Sequence, residues 1–76
     1  MITARQAVQA VSELLQDRGR DWYTIVDDTP LNALGLDSLD MAELFMAFED
    51  MAGQRLDPDS ADGARLVGDL ARLRPL

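Results

Sequence analysis

The residues best placed to do chemistry in this 76-residue chain lie together in Gly35-Leu36-Asp37-Ser38-Leu39-Asp40. Ser38 falls where a stretch of turn residues gives way to a helix-forming run. A serine in the first turn of a helix holds its hydroxyl beside backbone N–H groups that lack an intrahelical acceptor. A phosphate ester on that oxygen would meet the positive end of the helix. Asp37 and Asp40 bracket the hydroxyl and offer carboxylates to a metal ion or to an incoming cationic enzyme. Ser38 would equally serve as a simple helix cap, a role for which serine is common. A D-S-L triplet in isolation does not decide between these readings.

What the chain lacks narrows the chemistry further. It contains no Cys, no His and no Lys; its seven cationic side chains are all Arg, against fourteen Asp plus Glu, for a formal charge of −7. Without Cys there is no thiolate nucleophile, disulfide or Cys-based zinc site. Without His the usual general base is gone, and no Ser-His-Asp triad can form. Without Lys there is no Schiff-base chemistry. A self-sufficient enzyme is not expected from what remains. The negative charge repels nucleic acid and favours a protein partner with a basic patch. No apolar run approaches the roughly 20 residues that span a membrane, and Met1-Ile2-Thr3-Ala4-Arg5 is not a secretory leader. The expectation is a soluble, cytoplasmic monomer that binds neither membrane, metal nor nucleic acid.

The charge is concentrated. From Asp21 to Gln54 there are eight acids and no Arg, whereas the rest of the chain holds six acids and seven Arg. That central −8 segment reads either as a solvated helix face or as a docking surface.

The elements that must position Ser38 follow from periodicity and caps. Thr3 and Gln6 form a capping box. Apolar residues at Ala4, Val8, Val11 and Leu15, flanked by Ala7 and Leu14, predict a first helix over residues 3–18 that stops at Gly19. Residues 19–36 form a long connection. Its apolar content places it on the core, with a possible short strand at Tyr23–Val26 and with Trp22 and Tyr23 packed on the helices. Asp37 caps a second helix running to Ala52 and closed by Gly53. On its wheel Met41, Leu44, Phe45, Phe48, Met51 and Ala52 form the core stripe. Leu39, Ala42, Glu43, Met46, Glu49 and Asp50 form the opposite face. Asp57-Pro58 opens a short third helix broken at Asp62-Gly63. Leu66, Val67, Leu70, Ala71 and Leu73 give a last helix closed by Pro75. The predicted fold class is all-α: a small four-helix bundle, three main helices plus a short third, with a long loop between helices one and two, in a single domain over residues 1–76.

The stretch from Asp28 to Leu44 closely resembles the phosphopantetheine attachment region of acyl carrier proteins. Leu56 to Asp59 and Val67-Gly68-Asp69 resemble the starts of that family's last two helices. The resemblance implies that a phosphopantetheinyl transferase esterifies Ser38 with 4′-phosphopantetheine from coenzyme A. The arm's thiol would then carry acyl groups as thioesters. It also implies that Asp37, Leu39, Asp40, Ala42, Glu43, Met46, Glu49 and Asp50 recognise partners: the transferase, and ketosynthase- and acyltransferase-type enzymes with basic docking patches. Leu36 is larger than the Ala of fatty-acid carriers and matches polyketide-type ones. The helices would be able to shelter short acyl chains. An initiator-like Met1 favours a free-standing chain.

Other readings compete with this one. Asp57 to Gly63 resembles a calcium loop, but position twelve is Gly68 where Glu is needed. Met41, Met46 and Met51 could suggest a promiscuous peptide groove, yet two of them fall in the core stripe. A peptidyl carrier would favour Gly-Gly before the serine and a less acidic second helix. An unmodified acidic helical adaptor remains the rival from another class.

Overall fold

The computed structural model describes residues 2–20 and 24–76. Helix α1 spans Ala4–Asp17. Thr3 Oγ1 accepts the Gln6 N–H at 3.1 Å and Gln6 Oε1 accepts the Thr3 N–H at 2.9 Å, so two orphan donors are satisfied reciprocally. The helix ends at Arg18, and Gly19 takes the left-handed φ of 71° that follows it. Its apolar stripe buries Ala7, Ala10, Val11, Leu14 and Leu15.

Helix α2 spans Ser38–Ala52, capped by Asp37 and stopped by Gly53 at φ 68°. Its buried positions are Asp40, Leu44 and Phe48, one residue every four. Met41, Phe45 and Ala52 pack partly buried on the core. Met51, expected inside, is 43% exposed. It lies in the last turn of α2, on the wall of an open groove it shares with Ala10, Leu14 and Ala47.

The remaining regular structure is 3₁₀ rather than α: Leu31–Ala33, Pro58–Ala61 and Val67–Arg72. The fold is thus all-helical, and among the described residues there is no strand, only isolated bridges pairing Pro30 with Leu66 and Leu56 with Pro75. Asp57 caps the Pro58–Ala61 turn as its sequence predicts, accepting the Asp59 N–H at 3.0 Å, but four residues suit only a 3₁₀ turn. The Val67–Arg72 segment is shaped by its outward bonding. The N–H groups of Val67 and Gly68 donate to the carbonyls of Thr29 and Asp27, each at 2.9 Å, and the Leu31 N–H donates to Arg65 O at 2.8 Å. Gly68 is needed for this approach, since a Cβ there would lie 3.0 Å from Asp27 Cβ. Leu73 then turns extended, two residues ahead of Pro75, and ends the segment after six residues.

α1 lies at the centre of the packing, touching both α2 and the Val67–Arg72 segment, which also contacts Pro58–Ala61. Val67 and Leu70 fill the core against it together with Ile2, Leu34, Leu44, Phe48 and Leu56. The connection leading to α2 lies on this core: Leu34 is buried, and Ile25, Leu31 and Leu36 pack against it. Trp22 and Tyr23, the first residue of the expected strand, lie outside the described residues, and residues 24–26 form no strand. None of the described helices is long and apolar enough to cross a membrane.

Candidate functional site

Ser38 is exposed and is the first residue of α2. The cap is its neighbour. Asp37 Oδ1 accepts the Asp40 N–H at 2.8 Å, and Asp40 Oδ2 accepts the Asp37 N–H at 3.3 Å. The Met41 N–H goes to Asp37 O at 3.0 Å. Helix geometry leaves the Ser38 and Leu39 N–H groups without intrahelical acceptors. The serine hydroxyl is therefore not the group that caps the helix; it stands free at the helix's positive end, next to two amides that can face an anion. Just upstream, Gly35 sits at φ 66°, a conformation that disfavours a side chain, and a Cβ there would meet Arg20 Nη1 at 3.3 Å.

Asp40 departs from the role its sequence position implied. It is only 2% exposed and is the one charged residue of the described chain that is buried. Arg18 Nε lies 3.1 Å from its Oδ1 and Arg20 Nη2 lies 3.2 Å from its Oδ2. Arg20 Nη1 also donates to Gly35 O at 2.9 Å and to Leu34 O at 3.4 Å. Arg18 Nη2 reaches onward to Glu43 Oε2 at 2.7 Å. The Asp37 N–H holds the Asp40 carboxyl below the ordinary aspartate range, with both guanidiniums adding to the effect and burial opposing it. The Arg18 guanidinium is correspondingly raised, first by its bond to Glu43 and then by Asp40. No buried side-chain N or O among the described residues lacks a partner. Asp40 is thus satisfied from within, and its oxygens are turned away from any incoming protein. With them so occupied, the Asp37–Asp40 pair does not form the metal site considered from sequence; no cluster of three or more carboxylates with that geometry occurs among the described residues.

The other residues of the expected docking face divide. Leu39 and Met46 are 63% and 64% exposed, and Ala42, Glu43 and Asp50 are exposed beside them; Asp37 is exposed at the cap. Glu43 is already paired with Arg18. Glu49 is half-buried, with Oε2 accepting the Leu56 N–H at 2.8 Å and lying 3.5 Å from Arg55 Nε. It ties the α2 end to the following chain. Arg18 and Arg20 were not singled out from sequence. The signal available was their place: they are the last two cations before the Arg-free acidic segment.

The site fits a phosphodiester-linked arm on Ser38, because its hydroxyl is exposed, is not spent as a cap and lies beside open amides. Of the two flanking carboxylates, Asp40 is neutralised internally by Arg18 and Arg20. An apolar cavity of about 300 Å³, lined by Ile2, Ala52, Leu56, Leu73 and Pro75 with Gln54, opens at the far end of α2.

Residues 5–73 match the family model described as the phosphopantetheine attachment site. The chain is 45% identical over 42 residues to "Acyl carrier protein" of Sinorhizobium fredii and, equally, to "Acyl carrier protein AcpP" of Rhizobium meliloti. That stretch is 55% of this chain and 54% of each relative, so the chain spans about half the length of the curated relatives it matches. No solved structure matches it. The family match takes in the Asp37 cap, Ser38 and the Arg18–Arg20–Asp40 cluster, and the chain belongs to the family of phosphopantetheine attachment domains, whose group is a covalently held 4′-phosphopantetheine.

Proposed function

We propose that this chain is an acyl carrier modified at Ser38, a substrate of a phosphopantetheinyl transferase and not itself a catalyst. The observation that carries this is Ser38's exposed position at the first turn of α2, with Asp37 doing the capping. The Ser38 Oγ forms a phosphodiester with the pantetheine-bearing phosphorus of coenzyme A. The phosphoanhydride bond breaks, adenosine 3′,5′-bisphosphate leaves, and the hydroxyl proton passes to a base of the transferase. When bound, the arm supplies the thiol on which acyl groups ride as thioesters. The chain's own residues present the hydroxyl, place two open amides beside the new phosphate, and offer Leu39, Ala42 and Met46 with Asp37, Glu43 and Asp50 as a mixed apolar and acidic face. Basic patches on the transferase and on ketosynthase- or acyltransferase-type enzymes suit that face. Encounters of this kind are weak and salt-sensitive.

We read α1, α2 and the Pro58–Ala61 and Val67–Arg72 segments as the four members of one bundle, a single domain in a cytoplasmic monomer. The acidic face and Leu36 favour acyl, polyketide-like cargo over aminoacyl cargo. The test is an intact mass after incubation with coenzyme A and a promiscuous transferase. One phosphopantetheinyl adduct on the wild type and none on Ser38→Ala is expected. No adduct on the wild type, or equal loading of the variant, would instead favour an unmodified acidic adaptor.

A further inference from the structure

We propose that Arg20 is a positioning residue for the attachment serine: its guanidinium clamps the Leu34–Gly35 backbone onto the buried Asp40 carboxylate, and this clamp fixes where Ser38 stands when a transferase docks. The inference rests on Ser38 being the attachment site. It concerns how this chain holds that site.

The geometry is a three-point bridge. One guanidinium nitrogen, Nη1, donates to Gly35 O at 2.9 Å and to Leu34 O at 3.4 Å; the other, Nη2, pairs with Asp40 Oδ2 at 3.2 Å. A planar fork with fixed N–H directions suits two such acceptors better than a point charge would. Arg20 is itself anchored, because its backbone N–H donates to Leu15 O at 2.7 Å. The clamp therefore ties the end of α1 to both sides of Ser38: three residues before it through Gly35, and two after it through Asp40. Gly35 at φ 66° is the joint in the approach to α2 that is costliest to order. The fork holds the carbonyl of that same residue.

The second arginine separates this role from plain folding. Arg18 Nε pairs with the other Asp40 oxygen at 3.1 Å, and of the two capping-box bonds Arg20 touches only one, through the Asp40 Oδ2 it shares with the Asp37 N–H. With Arg20 removed, Asp40 still has a cationic partner and α2 still has its cap. What loses its restraint is the Leu34–Gly35 backbone. A reacting hydroxyl displaced by about 1 Å can cost up to 100-fold in rate. The docking face on α2 carries no Arg20 contact, so binding of the transferase is left alone.

The experiment is steady-state phosphopantetheinylation of the full chain with coenzyme A and a promiscuous transferase, together with amide hydrogen exchange. Arg20→Met is expected to lower kcat by about tenfold with KM for the carrier within about twofold. It should also speed exchange at Leu36 and Asp37 while leaving the α1 amides protected. Arg20→Gln reaches one acceptor but not both and should fall between the two. Should Arg20→Met fail to fold, Arg20→Gln decides in its place. A wild-type kcat in a folded variant, or a loss confined to KM, overturns the clamp. If the wild type takes up no arm, the carrier reading fails and the clamp falls with it. If the wild type is loaded and the variants are loaded at its kcat, the clamp alone fails.

Discussion

Two stripes of α2 run side by side and use acidic residues in opposite ways. The inner stripe is Asp40, Leu44 and Phe48, all buried. The outer one is Leu39, Glu43, Met46 and Asp50, all exposed. Asp40 on the inner stripe meets two arginines and a backbone N–H. Asp50 on the outer stripe faces water. Glu43 is intermediate, exposed yet held by Arg18. Acidity on this helix is therefore not one property. One carboxylate organises the start of the helix, a second is partly cancelled, and few are left to attract a partner. Conversely, the outer stripe keeps large apolar side chains in water. Leu39 and Met46 supply contact area that a basic partner can cover after electrostatics has brought it close.

The contrast can be broken most completely at the residue between the stripes. Ser38→Ala should abolish the mass adduct while leaving the urea midpoint unchanged. Next comes the inner stripe itself. Phe48→Ala should cost about 3–5 kcal/mol in urea unfolding, because a fully buried aromatic leaves a cavity. Asp40→Asn should lower the urea midpoint more than Asp50→Asn does, since it leaves Arg18 and Arg20 facing a neutral group. The same pair of variants sharpens the point through pH. Asp40 is held below its ordinary value of 3.8, so its contribution is fully present above that value and is lost as pH falls through the lower folded-state value. Unfolding measured between pH 5 and pH 2 should lose this slope in Asp40→Asn and keep it in Asp50→Asn. On the outer stripe, Leu39→Asp should leave stability within about 0.5 kcal/mol. It should raise the transferase KM by about fivefold or more. The smallest effect is expected from Asp50→Asn, a change in KM of no more than about twofold that vanishes at high salt. An Asp50→Asn effect on folding as large as that of Asp40→Asn would erase the distinction between the stripes.

Much of this is legible in the sequence alone. The Thr3/Gln6 box, the Asp37 cap, Gly19 and Gly53 as stops, and the Leu44/Phe48 core all follow from local rules in which a residue answers to neighbours three or four positions away. The exposed Leu39 and Met46 followed from the same periodicity. The 3₁₀ character of Val67–Arg72 did not, because it depends on bonds to Asp27 and Thr29, some forty residues earlier in the chain. Asp40 was misplaced for a related reason. A wheel puts it at the edge of the core stripe beside Met51, whereas a composition count adds it to the surface charge; burying its carboxylate depends on Arg18 and Arg20, more than twenty positions away in one case and twenty in the other. Glu49 was drawn inward in the same way by Leu56 N–H. Long-range partners decide the fate of a carboxylate, and spacing along one helix cannot show them.

The seam between residues 27–31 and 65–68 has a consequence for timing. Three backbone bonds join these segments, and the earlier one leads directly into the Leu34–Gly35 turn before Ser38. The helical bonds of α1 and α2 are local, whereas this seam closes a loop of roughly forty residues and forms only after that closure entropy is met. Until then the carbonyls of Asp27 and Thr29 have only water to bond, and α1 lacks Val67 and Leu70 to cover its stripe. The serine is thus framed late. Opening this seam leaves the α2 helix bonds in place but frees the approach to Ser38, so the Val67–Arg72 segment sets how long the serine stays framed.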